Sequence, residues 1–386
     1  MMMSATIDFG TVISTGSALA DVSPILKVAG ERDLLLLNKF LKNSTLATHV
    51  KHEWVDVSLK TYRTFLNANI TNVATSLVLK NGTLNPVNIF PNETRLRIGN
   101  EVLLVTAKTA ETTTTSTWTV TRGIAGTTGT AASANAQVFI LGSKLTEGQD
   151  MTGDRKTLGV RKDNMVQIYG ASLRNTFTAE NAKTVGMENQ LAKQIAYEMA
   201  NIKKEMQTDF FYGQKYTDAN YNERYMGGLL WYAQAEGKTV DAGAVAITEA
   251  LIEEEFIKYY DNSGSRDHLM IITSPRQQRR LNALKGALVV GGGMTNDETS
   301  INKYLKTYEF GGGLGADVFF SGCIGDNDMF FVDTSKIDFG CYTNSQLKLY
   351  DNAMTGLAKK VFIAGEYTAE FRNVKETVSV LTNLAV

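Results

Sequence analysis

Between Met187 and Phe211 the chain runs without a proline or a glycine, and apolar side chains recur at Met187, Leu191, Ile195, Met199, Ile202, Met206 and Phe210. Intervals of four and three residues keep these positions on one face of a helix. Taken over 186–212, such a helix has roughly seven turns and a length of about 38 Å, at 1.5 Å per residue. That is at least twice the average helix of a globular domain. A rod with one oily stripe is not stable alone, so it must lie on a sheet or on another subunit. The expected core of this spine helix is Leu191, Ile195, Met199, Ile202, Met206 and Phe210, and a charge placed at Ile195 should be poorly tolerated. The opposite side, with Lys193, Gln194, Glu198, Asn201, Lys204, Glu205 and Asp209, is expected to stay wet.

Strands flank the rod. An alternating segment, 160–178, runs into it, and a second near the end, 358–373, alternates at Val361, Ile363, Tyr367, Ala369 and Phe371. Both are long enough to pair, which would return the last part of the chain to its middle. From Thr83 to Leu145 the composition shifts to Thr, Ala, Gly and Asn and helical periodicity disappears. This reads as an all-β insertion of four to six strands, with Thr112–Thr115 at a hairpin tip or loop. Downstream, glycines 227 and 228 precede a strand or turn at Leu229–Tyr232. A helix is expected at Ile247–Tyr260, and strands near 304–310, 317–321, 329–333 and 336–342. Ser274, Pro275 and Gln277 are the N-cap, first position and capping-box partner of a further helix ending at Gly286. Helices and strands mix without βαβα rotation, so the fold class is α+β.

A length of 386 residues suits two to three structural units, and 43% hydrophobic with 20% charged residues is ordinary for a folded protein. With 39 basic against 40 acidic residues there is no basic excess of the kind a sequence-specific nucleic-acid reader shows. The first residues have neither the charged nor the apolar region of a secretory signal, and no apolar run is long enough to cross a bilayer. Cys323 and Cys341 fall in separate predicted strands and match no metal spacing.

Chemistry is sparse. His49 and His52 sit in an alternating segment, where a spacing of three puts the rings on opposite faces, and His268 is remote from both. Gly148 to Gly153 has the glycine spacing of a phosphate loop, but Asp154 and Arg155 stand where Lys and Ser/Thr are required. Gly311, Gly313 and Gly315 precede a strand instead of opening a helix, unlike a dinucleotide fingerprint. The acidic run Glu253–Glu255 reads as a solvated helix face. No catalytic, cofactor-binding or metal-ligating set emerges, and no cofactor is expected.

The order of elements is extended arm, β excursion, long strand, spine helix, α+β region and return strand. With it come His52-Glu53-Trp54, Val120-Thr-Arg-Gly-Ile-Ala-Gly-Thr-Thr128, Glu188-Asn-Gln-Leu-Ala-Lys193, Met226-Gly-Gly-Leu229 and Lys360-Val-Phe-Ile-Ala-Gly-Glu366. In this order and in these segments the chain resembles the major capsid proteins of tailed bacteriophages, the Hong Kong ninety-seven type of fold, in the branch with a β insertion in the extended loop. The resemblance spans nearly the whole chain in element order and is patchy in sequence.

It implies an N-terminal arm (1–50), the start of the extended loop (51–82), the insertion (83–145), a peripheral domain (146–228), an axial domain (229–342) and return strands of the peripheral domain (343–386). It also implies a self-assembling, non-enzymatic subunit of an icosahedral shell, made of pentamers and hexamers. Packaged double-stranded DNA would lie nearby without sequence-specific binding, and no membrane is involved. The subunit would belong to the virion after assembly in the host cytoplasm, with room for scaffolding, portal and decoration proteins. Candidate inter-subunit contacts are Leu34, Phe40, Trp54, Trp118, Gly292, Met294, Asp351 and Asn352. The arm and extended loop would lie on neighbours, the loop Val290–Ser300 at the five- and six-fold axes, and the turn Asp351–Leu357 near three-fold contacts. A bacterial encapsulating-compartment shell would share this fold, though the β insertion argues against it. An α+β enzyme or sugar-binding protein is the other alternative.

Overall fold

A computed structural model describes residues 6–7, 39–40, 46–57, 62–80, 90–112, 114–148, 159–176, 178, 190–263, 268–284, 307–310, 314–351 and 358–385. The strands begin with β1 (Thr6–Ile7), β2 (Lys51–Asp56), β3 (Arg63–Phe65), β4 (Ser76–Lys80), β5 (Thr94–Ile98), β6 (Glu101–Glu111), β7 (Thr115–Thr121) and β8 (Gln137–Ser143). Next come β9 (Val160–Met165), β10 (Gln167–Thr176), helix α1 (Gln190–Tyr212), β11 (Tyr216–Thr217), β12 (Arg224–Tyr225), α2 (Leu229–Ala235) and β13 (Thr239–Asp241). Then α3 (Glu249–Ser263), β14 (Leu269–Thr273), α4 (Pro275–Leu284), β15 (Thr307–Phe310), β16 (Leu314–Phe320), β17 (Met329–Asp333) and β18 (Ile337–Cys341) follow. The last elements are β19 (Lys348–Asp351), β20 (Ala358–Phe371), α5 (Val374–Thr377) and β21 (Val378–Thr382).

Two compact units result, one from residues 1–54 with 162–386 and one from 55–161. In the larger unit the expected ribbon forms: β10 and β20 pair antiparallel over ten residues, from Gln167 opposite Tyr367 to Thr176 opposite Ala358. The strand expected at 160–178 divides at Val166. Its first part, β9, pairs with β2 and its second, β10, with β20. On the far edge of β20, β18 and β19 lie end to end, while β1 adds in parallel beside Arg174 and Asn175 of β10. The rod lies on the inward face of this ribbon. Ile202, Met206 and Phe210 of α1 are buried with Tyr169, Leu173, Ile363, Ala369 and Phe371. Toward the start of α1, Leu191, Ile195 and Met199 are only half-buried.

A six-stranded mixed sheet, ordered β13-β21-β17-β14-β16-β15, completes the larger unit. Its central strands are buried on both faces. Met270, Ile272, Phe330 and Val332 join the core under α1 and α2, whereas Leu269, Ile271, Met329 and Phe331 join a second core under α3 and α4. This is strand alternation with apolar residues at every position. Between the expected peripheral and axial regions there is no break in packing, since Phe211 meets Phe330 at 5.3 Å between ring centroids. The run Leu229–Tyr232 is helical in α2, with Leu229, Tyr232 and Ala233 buried at the three-and-four spacing of a helix. It is entered through Gly228, where a Cβ would stand 2.6 Å from the Asp209 carbonyl oxygen, so the Met226-Gly-Gly-Leu229 motif reflects close approach of backbones. Ser274 caps α4, accepting from the Gln277 amide at 3.3 Å. The Gln277 side chain does not return to close a capping box and donates instead to the carbonyls of Asp326 and Ala385.

The smaller unit is a six-stranded antiparallel sheet ordered β3-β8-β5-β6-β7-β4. Two of its strands, β3 and β4, lie before Thr83, so the β unit begins earlier than the composition shift suggests. The end strands meet: Leu66 bridges Leu79, the Asn67 amide donates to the Val78 carbonyl at 2.8 Å, and the Thr64 hydroxyl donates to the Lys80 carbonyl. Closure leaves no bare edge between them. Trp118, Leu77, Leu79, Leu96, Leu103 and Val138 fill the interior without exposure. Thr112 ties the β6–β7 tip, its amide donating to the Thr115 carbonyl at 2.8 Å, as a hairpin tip should. Gly129 is needed for space, because a Cβ there would lie 2.4 Å from the Asn72 carbonyl oxygen.

Candidate assembly surface

The candidate contact residues divide sharply. Phe40 is 3% exposed and stacks on Phe210 at 5.2 Å, so this part of the arm is fastened to its own subunit. Trp54, the one buried residue of β2, packs against Tyr232 at 6.0 Å. Trp118 lies at the centre of the β unit, with the Lys108 ammonium 4.8 Å from its ring centroid. Within the subunit all three rings face inward, Trp54 and Trp118 through strand alternation and Phe40 through core packing. Asp351 pairs with Val361 at the end of β19. Leu34, Gly292, Met294, Asn352 and the loop Val290–Ser300 lie outside the described residues, as do 352–357 of the turn after Asp351.

The apolar surface that remains open is elsewhere. The outer face of the β10–β20–β19 sheet carries Ile168, Phe362 and Tyr350, with Phe362 directly opposite both Ser172 and Tyr350. The Lys360 ammonium stands 5.2 Å from the Phe362 ring centroid. Beside this face the β11–β12 hairpin displays Tyr216 stacked on Tyr225 at 5.7 Å, with Tyr221 in the turn at a φ of 59°. Arg224 anchors the hairpin, donating to the Val166 carbonyl at 2.7 Å and to the Glu366 carboxylate at 2.9 Å. Sequence reasoning passed over this hairpin, although three tyrosines within ten mostly polar residues are the signal that marks it.

Buried polar and ionic groups fix the scaffold beneath. Asn164 spends its whole side-chain amide inside the protein, donating to the carbonyls of Gly227 and Ala369 and accepting from the amides of Gly227 and Met165. Glu370 meets His52 at 3.2 Å and also accepts from Arg372. Burial pushes the Glu370 carboxyl up, but these two partners more than offset it and hold it below its usual range. Asp209, expected to be wet, instead accepts from the Gln167 amide at 2.6 Å and the Tyr169 hydroxyl at 3.1 Å. Burial raises its carboxyl above the ordinary value against the pull of both donors. A carboxyl raised in the fold makes stability fall as pH climbs from the unfolded toward the folded value. Asp209→Asn, which can still accept from both donors, should therefore equal or exceed the wild type in thermal midpoint at pH 7. It should also flatten the decline that sets in as pH climbs above the ordinary carboxyl value, about 4; a lower midpoint at pH 7 would contradict this account.

Two further expectations change. Glu255 is not part of a solvated run, being 1% exposed and bonded to the Ser379 hydroxyl and the Lys258 ammonium. Cys341 is buried in β18, but Cys323 is half-buried in a turn after β16, and neither forms a disulfide. Among the described residues no three His, Cys, Asp or Glu side chains gather as a metal site, and no helix is long and apolar enough to cross a membrane. The near-neutral total conceals a split. Residues 55–161 hold 11 basic and 7 acidic side chains, a balance of +4, whereas the rest holds 28 and 33, a balance of −5.

No curated protein matches the sequence. Among solved structures, the chain is similar to one from Mycobacterium phage Cain, with 11% identity, 99% of each chain covered and a TM-score of 0.48. It is also similar to one from Microbacterium phage Oxtober96, with 14% identity, 98% of this chain and 99% of that chain covered, and a TM-score of 0.46. For the capsid asymmetric unit of cyanophage A-1(L) the figures are 13% identity, 63% of this chain, 85% of that chain and 0.48. A family model described as SU10 major capsid protein matches residues 5–385. With nearly its whole length matched, the chain belongs to the SU10 major capsid protein family and is a structural subunit of a phage capsid shell.

Proposed function

We propose that copies of this chain join into pentameric and hexameric rings that tile an icosahedral shell around packaged double-stranded DNA, and that the chain catalyses no reaction. The observation that supports this most directly is where apolar side chains stay uncovered. The C-terminal half of the α1 stripe is covered by the chain's own ribbon, yet Ile168, Tyr350, Tyr216, Tyr221 and Tyr225 remain 44 to 54% exposed. Single exposed apolar residues are ordinary, but these five share one sheet face and the hairpin fastened beside it. Tyrosine-rich margins of this kind suit many modest contacts that add up in a closed assembly.

In this reading 146–228 with 343–386 form the peripheral region, 229–342 the axial region and 83–145 the core of the β insertion. Scaffolding, portal and decoration proteins are the expected protein partners. DNA lies near the inner wall without being read, in keeping with a net charge of −1. Assembly takes place in the host cytoplasm and the subunit ends in the virion. Full-length protein examined by size-exclusion chromatography and negative-stain microscopy should give five- and six-membered rings or closed shells. A monomer at every concentration and salt level would overturn the reading.

A further inference from the structure

Helices α3 and α4 cover the same face of the six-stranded sheet. α3 buries Ile252, Phe256 and Tyr259 there, and α4 buries Leu281 in the same core. Their outer sides carry opposite charge. α3 exposes Glu249, Glu253 and Glu254 around Ile257, which is itself 61% exposed, and α4 exposes Arg276 and Arg279. These charges do not meet one another within the chain. Among the described residues Glu249 and Glu253 have no cationic partner and Arg279 has no anionic one. Glu254 pairs only with Lys258 on its own helix, at 3.0 Å, and Arg276 with Asp326 at 3.2 Å, both at the surface.

Like charges four and three residues apart on a helix repel, so each face is left with an unfavourable interaction that the surface pairs at Lys258 and Asp326 relieve only in part. Ile257, next to Glu253 and Glu254 on the helix surface, adds an apolar centre inside an acidic rim, the composition of a contact patch. The occupant that relieves both helices at once is a second copy of this chain, because every copy carries both faces and their charges are complementary. Two different surfaces of one chain that fit each other make a head-to-tail contact, which gives a ring when the rotation between copies closes and a filament when it does not.

We propose that the acidic face of α3 in one copy docks on the basic face of α4 in the next, repeating around each ring. The proposal rests on the shell reading and names the side chains that join neighbours within a ring. The test uses two full-length variants, one with Glu249→Lys, Glu253→Lys and Glu254→Lys, the other with Arg276→Glu and Arg279→Glu. All five positions are exposed, so both variants should keep wild-type circular dichroism and thermal midpoint. Each alone should need about tenfold more protein, or more, to form rings, as like charges then face each other. A chain carrying both sets should assemble again. Mixing the two variants should give six-membered rings of alternating type but no five-membered rings, since an odd ring must place two like faces together. Assembly of either folded variant at wild-type concentration would overturn the contact, as would failure of the combined chain to recover. If the wild type itself forms no multimer, the shell reading falls, and the contact with it.

Discussion

Arg122→Met is expected to unfold the β unit at temperatures where the wild type holds it intact. Arg122 forks onto Glu101 with two hydrogen bonds of 2.6 Å, and donates as well to the carbonyls of Thr71, Ala74 and Thr130. Glu101 is 1% exposed and also accepts from the amides of Gly123 and Thr130. One ion pair thus fixes the segment 122–130 and the turn at 71–74 against the end of β6. Removing the guanidinium strands a buried carboxylate, which costs about 3–5 kcal/mol, a large share of the roughly 5–15 kcal/mol that keeps a domain folded.

The same pair sets the acid response. Burial pushes the Glu101 carboxyl up, but Arg122 and the two amides more than offset this and hold it below its usual range. Its contribution is complete above the ordinary carboxyl value, about 4.3, and is lost as pH falls through the lower folded value. In Arg122→Met the carboxyl is pushed upward and the slope reverses, so the variant gains stability on mild acidification. The double change Arg122→Met with Glu101→Leu removes both charges and should recover much of the loss. Calorimetry of the full chain, with hydrogen exchange at the Val102 and Val120 amides, reads these outcomes. A single variant within about 1 kcal/mol of wild type would refute the ion-pair account.

How much of this was legible in the sequence follows from which forces are local. The rod, the return strand and the Ser274 cap rest on periodicity and on a hydrogen bond within one turn, and all three are present. The run Leu229–Tyr232, expected as a strand or turn, is too short for periodicity to separate helix from strand, and the twin glycines before it let backbones pass at close range. Glu255 and Asp209 looked like solvent-facing positions because their partners, Ser379 and the pair Gln167 with Tyr169, lie far away in sequence. For Trp54 and Trp118, candidate contacts under the resemblance, only the register of their strands decides which way they face. Arg122 lies inside a quoted motif, but nothing in the motif tells that this arginine is buried or that its partner is Glu101, 21 residues earlier. Closure of the β unit likewise depends on Leu66 and Leu79 meeting across the connection between β3 and β4, a contact composition cannot forecast.

The second large effect is expected at Phe210, and it distinguishes the two ends of the spine helix. The Phe210 ring is fully buried and meets Phe40 at 5.2 Å, Phe211 at 5.1 Å, Phe371 at 5.4 Å and Phe339 at 5.7 Å. Truncation to alanine leaves a cavity among four rings that cannot all collapse into it, at a cost of about 3–5 kcal/mol. Because Phe40 stacks on this ring, the same change should raise hydrogen exchange around Lys39–Phe40 and loosen that piece of the arm from its own subunit. Ile195→Asp, by contrast, falls on a half-buried turn where a carboxylate can reach water, so it should yield soluble, folded protein, against the expectation from the stripe alone. Urea unfolding followed by circular dichroism should thus show a large drop in midpoint for Phe210→Ala and a small one for Ile195→Asp. Equal losses at the two sites would mean that the whole stripe is buried to the same depth, and that ring packing beside Phe40 adds nothing.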